Sequence, residues 1–478
     1  MPQPIPSQAP RSAVQSLLSF FKTGPDRPPF SADPSVIRRS YEAHRWSVFL
    51  SVLFGYGLFY TSRMNFSVAK KAMLDEGVMS ATQMGVVGSA LLFVYSVGKF
   101  TNGFLADRCN IARFMSTGLL LSGAANLLLG FNPMFSGFLL LWGLNGWFQS
   151  VGSAPSVVAL SHWFGKKERG TRYGIWSASH SIGEGLTFVV TSVLVASFGW
   201  RWGFWGPGLI CLLASLVLYR TLGDRPQTYG LPPIHVYKKE PPEVPAQEKA
   251  TIGQLQLEVI RHPGVWLLAM ASGCLYVGRY GVGNWGPLYL QSAKGYTLTA
   301  AGSVMAAYPA CNLIGSVSSG FVSDYLFGSR RTVPALIYGL LEVASLLALY
   351  WIPPGHQFLD AAALAVFGLG MGGLLVYLGG LMAIDLVSRR AAGAAMGLVG
   401  LFSYLVAGVQ DTLSGYLLDV SKVVVNGTTT YSFRLVFAVW ISALALSILL
   451  TLSLSFFSRR KPSNSHYGTN GTNGTDGG

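Results

Sequence analysis

Long apolar runs recur along the whole chain and restrict its fold more than any other feature. Each run has about twenty residues or slightly more, enough for a helix to cross the hydrocarbon core of a bilayer. Lipid offers no partners for unpaired backbone groups, so spanning segments of this kind must be helices. With 51% hydrophobic and 11% charged residues, the chain has too few polar residues to cover a soluble fold. The runs lie at 46–66, 84–106, 113–132, 134–158, 173–197, 201–221, 265–290, 300–325, 332–353, 359–385, 391–417 and 432–457. The sequence therefore predicts an all-α membrane protein with twelve transmembrane helices.

The polar gap between the sixth and seventh runs divides the chain into two halves. Residues 222–262 are rich in proline and charged residues, which is typical of a linker. We expect six-helix bundles at 46–221 and 263–457, a cytoplasmic leader at 1–45 and a disordered tail at 458–478. The leader is either flexible or partly an amphipathic helix on the membrane surface.

The net charge of +14 is distributed in a way that indicates membrane topology rather than nucleic-acid binding. If both termini and the even-numbered loops lie on one side, most of the 34 Lys and Arg residues fall there, and the positive-inside rule makes that side the cytoplasm. The other side is assigned Lys70, Lys71, Arg201, Lys294, Lys422 and Arg434, and the membrane is assigned Arg63, Lys99 and Arg279.

The cysteines and the N-terminus indicate which features we do not expect in this chain. The four cysteines show no paired spacing that would indicate a disulfide or a metal site, and we predict no cofactor. The N-terminus lacks a charged start followed by an apolar core and a cleavage site, so we predict no signal peptide.

An internal repeat relates the two halves. Residues 103–107 (Gly-Phe-Leu-Ala-Asp) follow the second run, and residues 320–324 (Gly-Phe-Val-Ser-Asp) follow the eighth. The separation of these motifs is within one residue of the separation between Arg63 and Arg279. Parallel repeats of six helices, related by an axis along the membrane normal, are an established transporter architecture. We therefore predict two pseudo-symmetric six-helix bundles.

Arg63 and Arg279 each place a permanent positive charge inside an apolar run. Such a charge needs a partner or a water-filled cavity. Equivalent helices of a duplicated bundle would bring the two guanidinium groups toward one central cavity, where they repel each other unless an anion lies between them. Phosphate fits this position, because it carries about 1.5 to 2 negative charges and its oxygens match the planar guanidinium. The alternative is that each arginine is a structural charge paired with Glu184 or Asp411.

Other polar residues of the apolar runs are candidates for the same cavity. His180 and Glu184 are one helical turn apart, so they share a face. His180 is either a phosphate donor when protonated or a neutral residue bonded to a neighbouring helix. Glu184 is either a structural partner of His180 or of an arginine, or a proton-coupling group. Lys99 either lines the cavity or extends toward the cytoplasmic interface.

Tyrosines accompany both arginines at helical spacing. Tyr56 and Tyr60 precede Arg63 on one face, and Tyr276 holds the corresponding position before Arg279. They are either hydroxyl donors of a polar pocket or packing residues.

These residues carry a resemblance to a known family. Residues 55–66 (Gly-Tyr-Gly-Leu-Phe-Tyr-Thr-Ser-Arg-Met-Asn-Phe) resemble the first helix of the organophosphate:phosphate antiporter family of the major facilitator superfamily, which includes the bacterial glycerol-3-phosphate and hexose-phosphate transporters. Residues 95–100, 167–170, 276–285, 400–405 and the linker segment 224–233 are similar to the same family, and the resemblance covers most of residues 40–455.

The resemblance implies a function and a set of site residues. It implies exchange of a sugar phosphate or glycerol 3-phosphate for inorganic phosphate by alternating access, in a bacterial inner membrane and as a monomer. The phosphate-binding roles fall on Arg63, Arg279 and His180, and the aromatic and hydroxyl lining on Tyr56, Tyr60, Tyr276 and Tyr404. The acidic loop motifs resemble the superfamily's conformational latch, with Asp107, Arg108, Asp324 and Arg330 as its members.

Some positions depart from the family pattern. Relatives commonly have Lys after the first arginine and Asp before the tryptophan of the seventh helix, where this chain has Met64 and Asn284. Glu184 replaces a small residue, and residues 372–374 replace an aromatic-Gly-Pro pattern. These changes leave the organic substrate open. Two alternative functions also stay open: a sugar-phosphate sensor that signals to a two-component kinase, and a proton-coupled organic-anion symporter that uses His180 and Glu184.

Overall fold

The computed structural model describes residues 19–106, 108–240, 252–328, 331–387, 391–425 and 428–458. The first half contains helices α1 (Pro34–Asp75), α2 (Ala81–Ala106), α3 (Ile111–Phe131), α4 (Phe135–Ser150), α5 (Ser153–Trp163), α6 (Lys166–Ser177), α7 (Ser179–Phe198) and α8 (Trp202–Thr221). A 3-10 turn (Pro226–Tyr229), α9 (Ile234–Tyr237) and α10 (Ile252–Arg261) lie in the connection between the halves. The second half contains α11 (Pro263–Ser292), α12 (Leu298–Phe321), α13 (Thr332–Trp351), α14 (Gln357–Val376), α15 (Met382–Leu386), α16 (Ala392–Val420) and α17 (Arg434–Ser458). An antiparallel hairpin of β1 (Lys422–Val425) and β2 (Thr428–Tyr431) lies between α16 and α17.

Each predicted apolar run is occupied by one long helix or by two consecutive ones, as for α4 with α5 and α6 with α7. Within the described ranges, nine helical segments are long and apolar enough to cross a membrane. Segments that span lipid must satisfy their backbone groups internally, which a helix does. The predicted all-α membrane fold is confirmed.

Helix α1 extends beyond the predicted run at both ends. It begins at Pro34, inside the predicted leader, because the Asp33 side chain accepts a hydrogen bond from the Ser35 N–H (2.8 Å) and proline suits the first helical position. It ends at Asp75, so the predicted end of the first run at residue 66 is wrong, and Lys70, which was assigned to the far side of the membrane, lies within the helix. Residues 61–70 are all buried in protein, and a lysine there is not exposed to lipid.

The two ends of the molecule differ in how the halves meet. We call the end where α1 begins and α8 leads into the connection the linker end, and the other the opposite end. At the opposite end, the Asp419 carboxylate of α16 accepts hydrogen bonds from the N–H groups of Ala81 (3.3 Å) and Thr82 (2.7 Å), at the start of α2. A residue of the second half thus caps a helix of the first half.

Close packing of α2 against α16 continues from this cap toward the centre. Ser89 Oγ donates to the Gly408 carbonyl across the interface between the halves. A Cβ atom on Gly88 would lie 1.8 Å from Asp411 Oδ2, so only glycine allows this approach. Small residues at helix contacts let backbones come close within a membrane. The opposite end is therefore closed.

The linker end is open in the same conformation. Lys99 of α2 is exposed, although it lies on a helix that is largely buried nearer the opposite end. Apart from its chain neighbours and its own helix backbone, no atom of the described residues lies within 4 Å of a Cβ placed on Gly170, Gly174, Gly397 or Gly400. These glycines lie on α6 and α16, toward the linker end of each helix. The cavity between the halves consequently opens at the linker end.

A hydrogen-bond network fixes α1 inside the first half. The Ser62 carbonyl accepts from the side-chain amides of Asn126 (3.1 Å) and Asn145 (2.9 Å). Gln149 Nε2 donates to Ser62 Oγ (2.9 Å), and Asn65 Nδ2 donates to Asn126 Oδ1 (2.8 Å). Buried polar groups need such partners, and a satisfied network favours one arrangement. Helices α1, α3 and α4 are thereby tied together.

Candidate functional site

Arg63 lies at the centre of the interface between the halves. Its side chain is 5% exposed, and its Nη2 donates to the Tyr280 hydroxyl of the second half (2.6 Å). The guanidinium carbon lies 4.1 Å from the ring centre of Tyr95 and 5.5 Å from that of Tyr60. Aromatic faces at such distances attract a cation. Aromatic rings and a hydroxyl thus surround the Arg63 charge.

Arg279 approaches the same aromatic cluster from α11. Its guanidinium carbon lies 5.6 Å from the Tyr276 ring centre and 5.8 Å from the Tyr280 ring centre. The Tyr280 ring centre is 5.9 Å from the guanidinium carbon of Arg63. One tyrosine therefore contacts both arginines, which the structure brings to one site from equivalent helices of the two halves.

Within the described ranges, neither arginine forms an ion pair with a carboxylate. Asp411, which was one alternative partner, lies 3.8 Å from Lys70 instead. Glu184, the other, is within electrostatic range of both arginines but makes no ion pair with them in the described part of the chain. Two positive charges thus share a buried site in which neither is paired with an acid of the described residues.

Helix α7 brings His180 and Glu184 to the edge of this site. A Cβ atom on Gly183 would lie 2.1 Å from the Gly57 carbonyl oxygen, so α1 and α7 cross in close contact there. The crossing sets the His180 ring 5.8 Å from the Tyr60 ring, and His180 Nδ1 is bonded to the Ser177 carbonyl. Glu184 is 3% exposed, and its Oε2 has no hydrogen-bond partner among the described residues.

The remaining predicted lining residues form the wall toward the linker end. Tyr56 packs edge-to-face on Tyr60 with ring centres 5.7 Å apart, and Tyr276 packs in the same way on Tyr404 at 5.3 Å. Lys99 Nζ lies 5.3 Å from the Tyr404 ring centre and is open to the cavity. The predicted binding residues are thus gathered around one site, with tyrosine rings beside Arg63, Arg279 and Lys99 and with the acid Glu184 at its edge.

The predicted latch residues are only partly described. Asp107 and Arg330 lie outside the described residues. Arg108 is exposed at the linker end. Asp324 accepts a hydrogen bond from Arg331 (2.7 Å), a neighbour of the predicted partner. In the second-half motif, Arg331 is thus the residue that donates a hydrogen bond to Asp324.

Three residues of this region, Tyr95, Tyr280 and Lys70, were not predicted from the sequence as site residues. Tyr95 and Tyr280 contact the arginines, and Lys70 and Asp411 form a buried pair between the halves. Both tyrosines lie in segments that carry the family resemblance. Lys70 was recognisable by its spacing, since residues seven apart share a helix face and Arg63 is seven residues earlier.

Comparison with known proteins identifies the family. The sequence profile of the Major Facilitator Superfamily matches residues 52–410. A "Probable hexose phosphate transport protein" of Chlamydia muridarum is 33% identical over 387 residues, which cover 78% of this chain and 85% of that protein. A "Glycerol-3-phosphate transporter" of Bacillus subtilis is 33% identical over 415 residues, which cover 84% of this chain and 92% of that protein. The chain belongs to the organophosphate:phosphate antiporter family.

Further relatives are consistent with this antiporter family. The "Membrane sensor protein UhpC" of Salmonella typhimurium is 31% identical over 455 residues, 94% of this chain and 100% of that protein. A bacterial homolog of the human lysosomal transporter Spinster, solved in an inward-facing and unoccupied conformation, has a TM-score of 0.69 at 16% identity. It covers 87% of this chain and 95% of its own, and the likeness shows the fold alone. Membership of the antiporter family makes the chain an integral membrane transport protein and not an enzyme.

Proposed function

We propose that the chain exchanges a phosphorylated small organic molecule, a sugar phosphate or glycerol 3-phosphate, for inorganic phosphate. The observation that supports this most strongly is the pair of buried arginines that approach one site from both halves and form no ion pair there within the described residues. Guanidinium groups bind phosphate oxygens through paired, charge-assisted hydrogen bonds. Arg63 and Arg279 hold the phosphoryl group, and His180 is a third ligand.

The tyrosines around the arginines hold the organic part of the substrate. The rings of Tyr60, Tyr276 and Tyr404 lie 5.5, 5.6 and 5.3 Å from the charged groups of Arg63, Arg279 and Lys99, and each tyrosine offers an apolar ring and a hydroxyl group. Pockets of this composition bind through apolar contact and use a few polar groups for orientation. Lys99 lies nearer the open end and attracts an anion that enters from the linker side.

Transport follows from the two ways in which the halves can meet. In the described conformation they are joined at the opposite end and apart at the linker end. A phosphate held by both arginines draws the halves together, whereas the empty site keeps two like charges close and disfavours the closed state. The empty carrier then rarely crosses between states, which makes exchange obligatory. The linker end faces the cytoplasm of a bacterium, and the monomer is the transport unit.

Exchange by the purified chain in proteoliposomes tests this proposal. Uptake of radiolabelled phosphate into vesicles loaded with phosphate should exceed uptake into empty vesicles. Arg63→Lys and Arg279→Lys should each lower the exchange rate at least ~10-fold, because an ammonium group cannot form the paired contact. Arg220→Lys is the matched control, because Arg220 is exposed at the linker end. Equal uptake by loaded and empty vesicles would refute obligatory exchange.

A sensor is the second candidate, because the relative named as a membrane sensor aligns over 94% of this chain. A sensor would bind glucose 6-phosphate without bulk exchange. Binding of glucose 6-phosphate, glycerol 3-phosphate and phosphoglycerate should therefore be compared with the exchange rate of the same preparation. Saturable binding together with exchange at the level of empty vesicles would favour the sensor.

A proton-coupled symporter is the third candidate, because Glu184 is a buried acid beside the arginines with one oxygen lacking a hydrogen-bond partner in the described part of the chain. A symporter would acidify weakly buffered vesicles during uptake. Glu184→Gln would abolish that acidification while leaving phosphate exchange in place. Exchange without a pH change favours the antiporter.

A further inference from the structure

Lys70 and Asp411 form a buried ion pair between the halves, on the opposite-end side of the arginines. Lys70 lies on α1 and is 1% exposed, and Asp411 lies on α16 and is 0% exposed. Lys70 Nζ is 3.8 Å from Asp411 Oδ1, and no hydrogen-bond acceptor is in range of this nitrogen among the described residues. The ammonium group is thus attracted to Asp411 by charge, at a distance longer than a direct hydrogen bond.

The two partners are held very differently. Asp411 accepts hydrogen bonds from Trp285 Nε1 (2.5 Å) and Asn284 Nδ2 (3.0 Å), both on α11 of its own half. Lys70 instead lies over the Trp285 ring, with Nζ 3.5 Å from the ring centre. The carboxylate is therefore fixed within the second half, whereas the Lys70 ammonium depends on the second half for its counter-ion.

Lys70 also faces the same cavity as the central arginine. A cavity of about 20 Å³, room for about one water molecule, is lined by Arg63, Ser67, Lys70, Asn284 and Asp411, among others. Arg63, Ser67 and Lys70 are spaced four and three residues apart, so they form one polar face of α1. Lys70 lies about 10 Å further along α1 than Arg63, at about 1.5 Å per residue.

We propose that Lys70 is an outer phosphate-binding residue and that Asp411 takes the place of the phosphate when the opposite end is closed. This inference rests on the exchange function proposed above. When the opposite end opens, α1 and α16 separate, and Lys70 loses Asp411 in a cavity that now admits water and anions. Lys70 and Ser67 then receive the incoming phosphate, and Arg63 lies deeper on the same face. When the end closes, Asp411 returns to Lys70 and displaces the anion inward.

Phosphate exchange in oriented membrane vesicles tests the proposal. Right-side-out and inside-out vesicles from a host without its own organophosphate carriers, loaded with phosphate, expose the opposite end and the linker end, respectively. The double variant Lys70→Met/Asp411→Asn removes both charges and so leaves no unpaired buried ion. Its half-saturating phosphate concentration should rise about tenfold where the opposite end faces the bath, since one charge-assisted contact is lost. It should stay unchanged where the linker end faces the bath.

Two further variants make the result specific. Asp411→Asn alone removes the competing carboxylate, so phosphate should half-saturate the opposite end at a lower concentration than in the parent. Lys71→Met is the matched control, since Lys71 is the next residue and pairs with Asp75 (2.5 Å) within α1. It should leave both concentrations unchanged.

The outcomes separate this inference from the proposed function. The role of Lys70 would be overturned if the parent and the double variant had the same half-saturating phosphate concentration on both faces, or if that concentration rose equally on both faces in the double variant. A lower half-saturating phosphate concentration in Lys71→Met would overturn it as well. A parent chain that binds but does not exchange phosphate would overturn the proposed function instead.

Discussion

Replacing Asp419 by alanine should open the opposite end of the transporter. The Asp419 carboxylate accepts from the Ala81 N–H, the Thr82 N–H and the Thr82 hydroxyl (2.6 Å). The next N–H of α2, that of Gln83, donates to Ser80 Oγ (3.2 Å). Asp419 therefore supplies acceptors for the two N–H groups at the start of α2 that Ser80 does not bond. Loss of a capping side chain costs about 1 kcal/mol, and loss of the hydroxyl bond costs about another 1 kcal/mol.

These contacts join residues of different halves, so they stabilise only the conformation that is closed at the opposite end. A loss of about 2 kcal/mol should therefore shift the equilibrium between the two conformations about 30-fold toward opening. Hydrogen–deuterium exchange of the peptide that covers residues 78–90 measures this shift, because opening removes the acceptors of its first amides.

The control for this measurement is Asp75→Ala at the same end. Asp75 pairs with Lys71 of its own helix (2.5 Å) and makes no described bond to the second half. Asp419→Asn keeps one acceptor oxygen and should fall between the alanine variant and the parent. If Asp419→Ala exchanges residues 78–90 no faster than Asp75→Ala, the cap does not hold the halves together.

Three further predictions concern packing, burial and pH. Gly88→Ala should abolish exchange, because its Cβ would overlap the Asp411 carboxylate, whereas Gly397→Ala, with no described atom within 4 Å, should transport normally. Glu342→Leu should raise the Tm, because this fully buried acid has both oxygens without a partner among the described residues, at a cost of about 1–3 kcal/mol; a lower Tm would contradict this. Burial raises the pKa of the Asp224 carboxyl above its ordinary value of 3.8. The folded state therefore binds the proton more tightly than the unfolded state, so the stability of the fold falls as pH rises from 3.8 through the raised pKa. The gain in Tm from Asp224→Asn should grow over this pH range and vanish below pH 3.8.

Hydropathy was sufficient to locate the helices but not the end of α1. Predicted run 201–221 and helix α8 (Trp202–Thr221) agree almost to the residue, because lipid surrounds much of this helix and its apolar length sets its ends. Residues 61–70 of α1 are all buried in protein, so Lys70 can lie within the helix with Asp411 nearby. A hydropathy profile treats every polar residue as facing lipid or water, and it therefore ended α1 too early.

The repeat predicted the approach of Arg63 and Arg279 because symmetry fixes positions without knowledge of side-chain contacts. The partners of Asp411 and Asp419 could not be predicted in this way. Each depends on how α16 is placed against other helices, α2 for Asp419 and both α1 and α11 for Asp411, and close packing at Gly88 helps to set that placement. Pairings between residues hundreds of positions apart have no local signal, and the symmetric arginines were an exception because the repeat itself supplied one.

The Ser62 network has a consequence for how motion should be measured. Amides from α3 and α4 hold α1 immediately next to Arg63, so we expect these three helices of the first half to move as one rigid body. Two spin labels placed within that half, on α3 and α4, should keep their separation throughout the cycle. A label on either helix paired with one on α16 should then report the whole displacement, which makes α1, α3 and α4 a fixed coordinate frame for spectroscopy.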